Sequence, residues 1–302
     1  ATLFFAGLGM HTLIAEKRAK PKRRTKAKQL KLDIVRMYGI TKAELKDNPA
    51  VPAYFAGTLY MVNPFTYERW MAGHYLLLAG YAAFPWLLRS LFAYVNRPSW
   101  KSAFSLALFY TLVAMLSVHM LVIACIAGLT AGIVYTISAP HKMSYLTELL
   151  QSGAFLVLLF AVLNSFWLSP VLRGDSPIND IVGKVTVQHL EAFTTTPHSQ
   201  AGILGNIASM SGFWLEKYHR YTQPNAQIWL TLPLLLLLIG LAGYGVKRRL
   251  AQDKPQSITV LVLVTIGVFI ATGIHAPLWG SVNEYRSQLL YLYSSRLECL
   301  LQ

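Results

Sequence analysis

Charge is scarce in this chain, and acid is scarcer than base. Only 13% of the 302 residues are Asp, Glu, Lys or Arg, about half the ~25% of a typical soluble domain. A polar surface that could wrap a water-soluble globule is therefore excluded. Acidic residues number 13 against 27 Lys and Arg. Cysteine is nearly absent, Cys125 and Cys299 being the only two, so no disulfide framework and no thiolate metal cluster can be built. Cys125 lies in an apolar run and reads as a small packing residue. No GxSxG, HExxH, Walker loop or GxGxxG is present, which removes the compact signatures of hydrolases, zinc proteases and nucleotide-binding proteins. His189, His198 and His219 are too widely spaced to suggest a zinc site.

What the chain has instead is hydrophobicity in long blocks, 54% of its residues being apolar. The expected class is all-α: a polytopic transmembrane helix bundle forming a single domain over residues 1–302. Spans are expected at 1–15, 49–62, 73–95, twice within 102–138, and at 146–170, 228–246 and 257–275, about eight in all. The 102–138 run is too long for one helix, and Ser117-Val-His119 near its middle marks a very tight turn. Pro85 falls inside a span, where neighbouring helices must satisfy the backbone group it frees. The 1–15 run is shorter than the roughly 20 residues needed to cross, and Ala rather than Met opens the chain. The first span is therefore expected to be truncated, and the chain to be an internal piece of a longer protein. A signal peptide fits poorly, because its positive charges should precede the apolar stretch rather than come after it.

The net charge of +14 is concentrated. A dense basic run extends from Lys17 to Lys28, and beyond it Leu30, Ile34, Met37 and Tyr38 recur at helical spacing. That pattern suits an amphipathic helix on an anionic membrane surface. Thr41-Lys-Ala-Glu44 has the spacing of a capping box. Beside membrane helices the expected partners of the 16–48 loop are anionic phospholipids, with no role for nucleic acid. A solvated loop that only sets topology would carry the same residues. Alternating loops place 16–48, the 89–101 turn, Lys142 and the 247–256 loop on one side, with 20 of the 27 Lys and Arg. Arg69, Arg173, Lys184, Lys217, Arg220, Arg286 and Arg296 remain for the other. The positive-inside rule makes the first side cytoplasmic. The Asn63–His74 turn, His119, the 171–227 loop and the interfacial tail 276–302 are then expected outside the cytoplasm, at the cell membrane.

Candidate binding residues converge on that second face. Asn63-Pro64 ends a span, because the residue before proline is pushed out of the α region. Tyr67, Trp70 and Tyr75 are aromatics of the kind that settle at a membrane interface. Glu68, Arg69 and His74 are thereby held at the lip of the bilayer, where ionisable groups are costly and hence functional candidates. His119 is a second candidate, or a structural histidine of the hairpin. Arg173 and Asp175, just beyond the span ending at Pro170, are a third. A guanidinium offers a planar donor fork that fits phosphate or diphosphate. The simpler alternative pairs Arg69 with Glu68 and Arg173 with Asp175. Phe213-Trp-Leu and Tyr218 suit packing on the lip or on a sugar ring.

Several of these stretches carry a family resemblance. Gly57-Thr-Leu-Tyr-Met-Val-Asn-Pro-Phe-Thr-Tyr-Glu-Arg-Trp-Met-Ala-Gly-His74, then Gly80-Tyr-Ala-Ala-Phe-Pro85, resembles large bacterial and archaeal membrane proteins of the GT-C glycosyltransferase architecture. Leu163-Asn-Ser-Phe-Trp-Leu-Ser-Pro170 and Ser211-Gly-Phe-Trp214 fit the same group. The resemblance covers residues 1–275. It implies transfer of a sugar from a polyprenyl-phosphate donor to an acceptor outside the cytoplasm, with a lipid-linked sugar as partner and room for a divalent cation, Mg or Mn. In that architecture the catalytic carboxylate lies between the first two spans. Residues 1–15 would match the second span, which puts the catalytic loop upstream of Ala1, so no catalytic residue is assigned here. Two other classes remain open: a transporter or flippase of a lipid-linked saccharide, and a non-catalytic scaffold docking through 16–48. Inverted repeats and paired broken helices, which would favour transport, are not visible.

Overall fold

The computed structural model describes residues 2–16, 50–176, 195, 202–213 and 228–272, and among them every regular element is helical. In chain order these are α1 (Thr2–Glu16), α2 (Ala50–Met61), α3 (Pro64–Met71), α4 (Tyr75–Asn96), α5 (Trp100–Leu116) and α6 (Val118–Ser138). They continue with α7 (Lys142–Leu163), α8 (Ser165–Arg173), α9 (Gly202–Ala208), α10 (Ile228–Leu250) and α11 (Lys254–Ala271). Four of them, α4, α6, α7 and α11, are long and apolar enough to cross a membrane, as a multi-pass membrane protein requires. Thr2–Ile14 of α1 and all of α5 are apolar but shorter. The expectation of about eight spans thus meets four full-length candidates among the described residues. The basic 16–48 loop with its amphipathic helix, and the 276–302 tail, lie outside the described residues.

The bundle is organised around α4, which packs on α1, α3, α5 and α6. It buries eleven residues, and Leu87, Leu91 and Val95 meet Leu106 and Val113 of α5 and Ala124 and Ala131 of α6 in one apolar core. Small residues set how closely the helices approach, as is usual where lipid offers no hydrophobic drive. A Cβ on Gly57 would lie 2.7 Å from the Gly7 carbonyl oxygen, so the backbones of α1 and α2 touch. Tyr110 donates to the Ala124 carbonyl at 2.8 Å, through space that a Cβ on Gly128 would fill.

The long apolar run divides where expected. Ser117 ends α5, its N–H bonding the Val113 carbonyl at 2.8 Å. The same residue caps α6, its hydroxyl accepting from the Met120 N–H. A Cβ on Gly80 would lie 3.0 Å from Ser117 Cβ, so this corner and the start of α4 share one end of the bundle.

The span expected at 146–170 is two helices. α7 stops at Leu163, and α8 starts at Ser165. The break is made by Asn164, which is fully buried. Its amide donates to Thr111 Oγ1 of α5 at 3.0 Å and to the Phe160 carbonyl at 2.8 Å, and its oxygen accepts from Trp167 Nε1 at 2.9 Å. α7 itself is peripheral and buries only Ser152. Tyrosines tie it to α4: Tyr94 donates to the Leu149 carbonyl at 2.9 Å, and Tyr145 to the Val95 carbonyl at 2.7 Å. Cys125, expected to be a packing residue, instead faces outward from α6.

Candidate functional site at the α3–α4 corner

Two prolines create the corner and two tyrosines repair it. Proline has no N–H, so the carbonyl four residues earlier loses its helical partner. Pro64 deprives the Tyr60 carbonyl, and Pro85, inside α4, deprives the Tyr81 carbonyl. Tyr81 donates its hydroxyl to the Tyr60 carbonyl at 2.9 Å, and Tyr60 donates to the Tyr81 carbonyl at 2.9 Å. Each phenol answers the vacancy left by the other helix's proline. The rings stack at 4.0 Å and 8°. Pro85 thus has the neighbouring-helix support expected of it, and α2 is locked to α4.

Beyond Asn63 the chain forms a short helix rather than the interfacial turn expected. Asn63 is extended (φ −151°, ψ 165°) and caps α3. Its Oδ1 accepts from the Thr66 N–H at 3.0 Å, and Thr66 Oγ1 accepts from the Asn63 N–H at 3.2 Å. This reciprocal box satisfies two backbone donors that a helix start leaves open. The Asn63 Nδ2 donates back to the Leu59 and Tyr60 carbonyls. Proline at the first helical position suits that place, because its missing N–H is one of those donors. Gly73, with φ 75°, then turns the chain into α4.

The charged residues of the corner fall into two layers. Glu68 is 2% exposed and turned into the protein. Arg69 is half-buried. Its guanidinium carbon stands 3.7 Å from the ring centre of Phe213 and 5.4 Å from that of Phe65. Its NH1 lies 3.4 Å from His74 Nδ1. The His74 ring meets Phe213 edge-on at 5.6 Å. Burial, then the Arg69 cation, then His119 hold the His74 imidazole below its usual pKa. The imidazole is therefore neutral and accepts from Arg69.

Four of the six residues expected to bind are neighbours: Glu68 and Arg69 on α3, His74 at the head of α4, and His119 in the first turn of α6, within the electrostatic reach of His74. Arg173 and Asp175 lie at the end of α8. They flank Gly174, which closes α8 in the left-handed region (φ 81°), and both are exposed. Phe213 is the member that sequence reasoning left out of the site. Phe213-Trp-Leu is legible as packing on the lip or on a sugar ring, but nothing in its spacing points to Arg69. No group of three or more His, Cys, Asp or Glu is placed to hold a metal ion among the described residues.

No protein family, curated protein or solved structure matches this chain. Its chemistry is read from its own residues. A guanidinium held between aromatic faces, beside a neutral imidazole, is a cation kept at reduced solvation. Such a cation attracts an anion more strongly than a water-exposed one does.

Proposed function

We propose that this chain takes part in transfer of a sugar from a polyprenyl-phosphate donor to an acceptor outside the cytoplasm, and that the α3–α4 corner holds the donor's phosphate. The observation that carries the reading is the placement of Arg69. It sits where a short polar helix interrupts two apolar ones, between Phe213 and His74. A phosphate leaving group gains charge as the sugar departs, and a fixed cation at low dielectric stabilises that charge. The sugar-transfer part of the proposal follows the resemblance drawn from the Gly57–His74 and Gly80–Pro85 stretches of the sequence. Arg69 and His119 serve the phosphate, His74 orients Arg69, and no residue of this chain is assigned as the carboxylate acting on the acceptor.

The test is Arg69→Ala in the full-length protein, reconstituted in vesicles with a decaprenyl-phosphate-linked radiolabelled sugar. Transfer is expected to fall about 100-fold, the scale for loss of one preorganised donor to a developing anion, with membrane insertion unchanged. Undiminished transfer would sink the assignment. Movement of the labelled lipid across the bilayer without transfer would replace it with a flippase.

A further inference from the structure

We infer that Phe213 is the positioning residue of Arg69: its ring fixes the plane of the guanidinium, and so the direction in which the corner presents its donors to a phosphate. This rests on the reading of the corner as a phosphate site.

A guanidinium is planar, and its N–H groups all point outward in that plane. Orienting it takes one contact on its face and one bond at its edge. Both are present. At 3.7 Å from the ring centre, the guanidinium carbon is at van der Waals contact with the π face, the closest approach that a flat stack gives. The NH1 group, 3.4 Å from His74 Nδ1, fixes rotation within the plane. Phe213 is held in turn by the His74 ring at its edge, 79° to it. Phe65, at 5.4 Å, is too distant to set the plane.

The segment before Phe213 is built to deliver that ring. α9 ends at Ala208, and the chain reverses through Met210 (φ 58°) and Gly212 (φ 92°). Met210 is the one non-glycine residue with positive φ among the described residues, a conformation that persists only where its surroundings impose it. Here they do. The Ser211 N–H bonds the Asn206 carbonyl at 2.8 Å, and Ser209 donates to the Gly205 carbonyl at 2.8 Å. Asn206 and Ile203 are buried, and Phe213 itself is only 6% exposed. A leucine would fill the same space but has no π face to attract the cation.

The test uses the full chain in phosphatidylcholine nanodiscs. Phenylglyoxal modifies guanidinium groups, and peptide mass spectrometry reads Arg69 and, as internal reference, the exposed Arg173. Phe213→Ala is expected to speed modification of Arg69 about fivefold, the scale of a partly buried cation–π contact. Arg173 is expected to stay unchanged. Phe213→Trp restores the slow rate. Phe213→Leu, which keeps apolar bulk, behaves like the alanine variant. A leucine variant as slow as wild type, or an alanine variant with no change at Arg69, overturns the positioning role.

Decaprenyl monophosphate in the same discs separates this inference from the reading beneath it. It is expected to protect Arg69 in the wild type and to bind roughly tenfold more weakly to the alanine variant. No protection in the wild type, with the contrast in reactivity intact, removes the phosphate and leaves Phe213 as the orienter of Arg69. Protection with no contrast between variants removes Phe213 and leaves the phosphate.

Discussion

Two polar corners close the two ends of α4, and they rest on different physics. At the far end Asn96, Tyr135, Arg249, Asp253 and Gln256 gather where α6 meets the α10–α11 turn; the fields of Asp253 and Arg249 reach the Tyr135 hydroxyl. The bonds there are short-range in sequence. Asp253 caps α11 by accepting from the Gln256 N–H at 3.2 Å, Arg249 donates to Gln256 Oε1 at 3.2 Å, and Ser257 returns its hydroxyl to the Asp253 carbonyl at 2.8 Å. That is what closing a helix–turn–helix requires. At the α3 end Arg69 is met by Phe65 of α3, by His74 at the head of α4 and by Phe213 beyond α9. They converge on a cation rather than on a cap. Polar density therefore does not separate a site from a staple. What separates them is Phe213, a ring from a distant part of the chain that covers the cation, whereas the far corner's hydrogen bonds span seven residues or fewer.

The sharpest way to break this contrast is to remove one arginine from each corner. Arg69→Ala is expected to lower decaprenyl-phosphate binding about 100-fold, whereas Arg249→Ala leaves binding unchanged and lowers only the unfolding midpoint. Equal losses of binding would abolish the distinction.

Next in size is the tyrosine exchange. Tyr60→Phe strands the Tyr81 carbonyl and is expected to cost about 1–2 kcal/mol, the range for an unsatisfied buried group and for bonds between membrane helices. Equilibrium unfolding in mixed micelles reads it. Pro85→Ala returns an N–H to the same carbonyl, so Tyr60→Phe should cost less in that background. An undiminished cost would mean that the hydroxyl does not serve the proline's vacancy.

Asp253→Ala should cost about 1 kcal/mol through loss of the α11 cap, with no effect on lipid binding. A change in binding would couple the two ends. Smallest is the dependence on pH. The His74 pKa is lowered in the fold by burial, Arg69 and His119, so the unfolded chain takes up the proton first as pH falls. This stabilising contribution is complete above about 6.5, the ordinary histidine value, and is lost as pH falls through the lowered value. The drop in unfolding midpoint over that window should be reduced in His74→Gln. An identical drop in the variant would assign the effect to another group.

Much of this fold was legible in the sequence, for reasons that can be named. The 102–138 run exceeds one span, and serine is a good N-cap, so the break at Ser117 came from length and residue type. Asn63-Pro64 ended α2 for steric reasons. The break at Asn164 was not legible, because Ser165-Phe-Trp-Leu-Ser-Pro170 continues the apolar pattern. What stops α7 is a bond to Thr111, a partner 53 residues away. The peripheral place of α7 was hidden likewise, since a helix apolar on all sides looks the same at the centre as at the edge. At the site, Glu68, Arg69, His74 and His119 stood out because ionisable groups near a membrane are costly. Phe213 stood out only as a ring for the lip or a sugar, and its pairing with Arg69 carries no signal until the chain is folded.

Ser117 has a mechanical consequence. It closes α5 and opens α6 with no residue between them, so the joint has no slack and acts as a weld rather than a hinge. Torque applied at His119 would pass directly into α5. From α5 it would reach the head of α8 both through the bond from Asn164 to Thr111 and through the packing of α5 along α7.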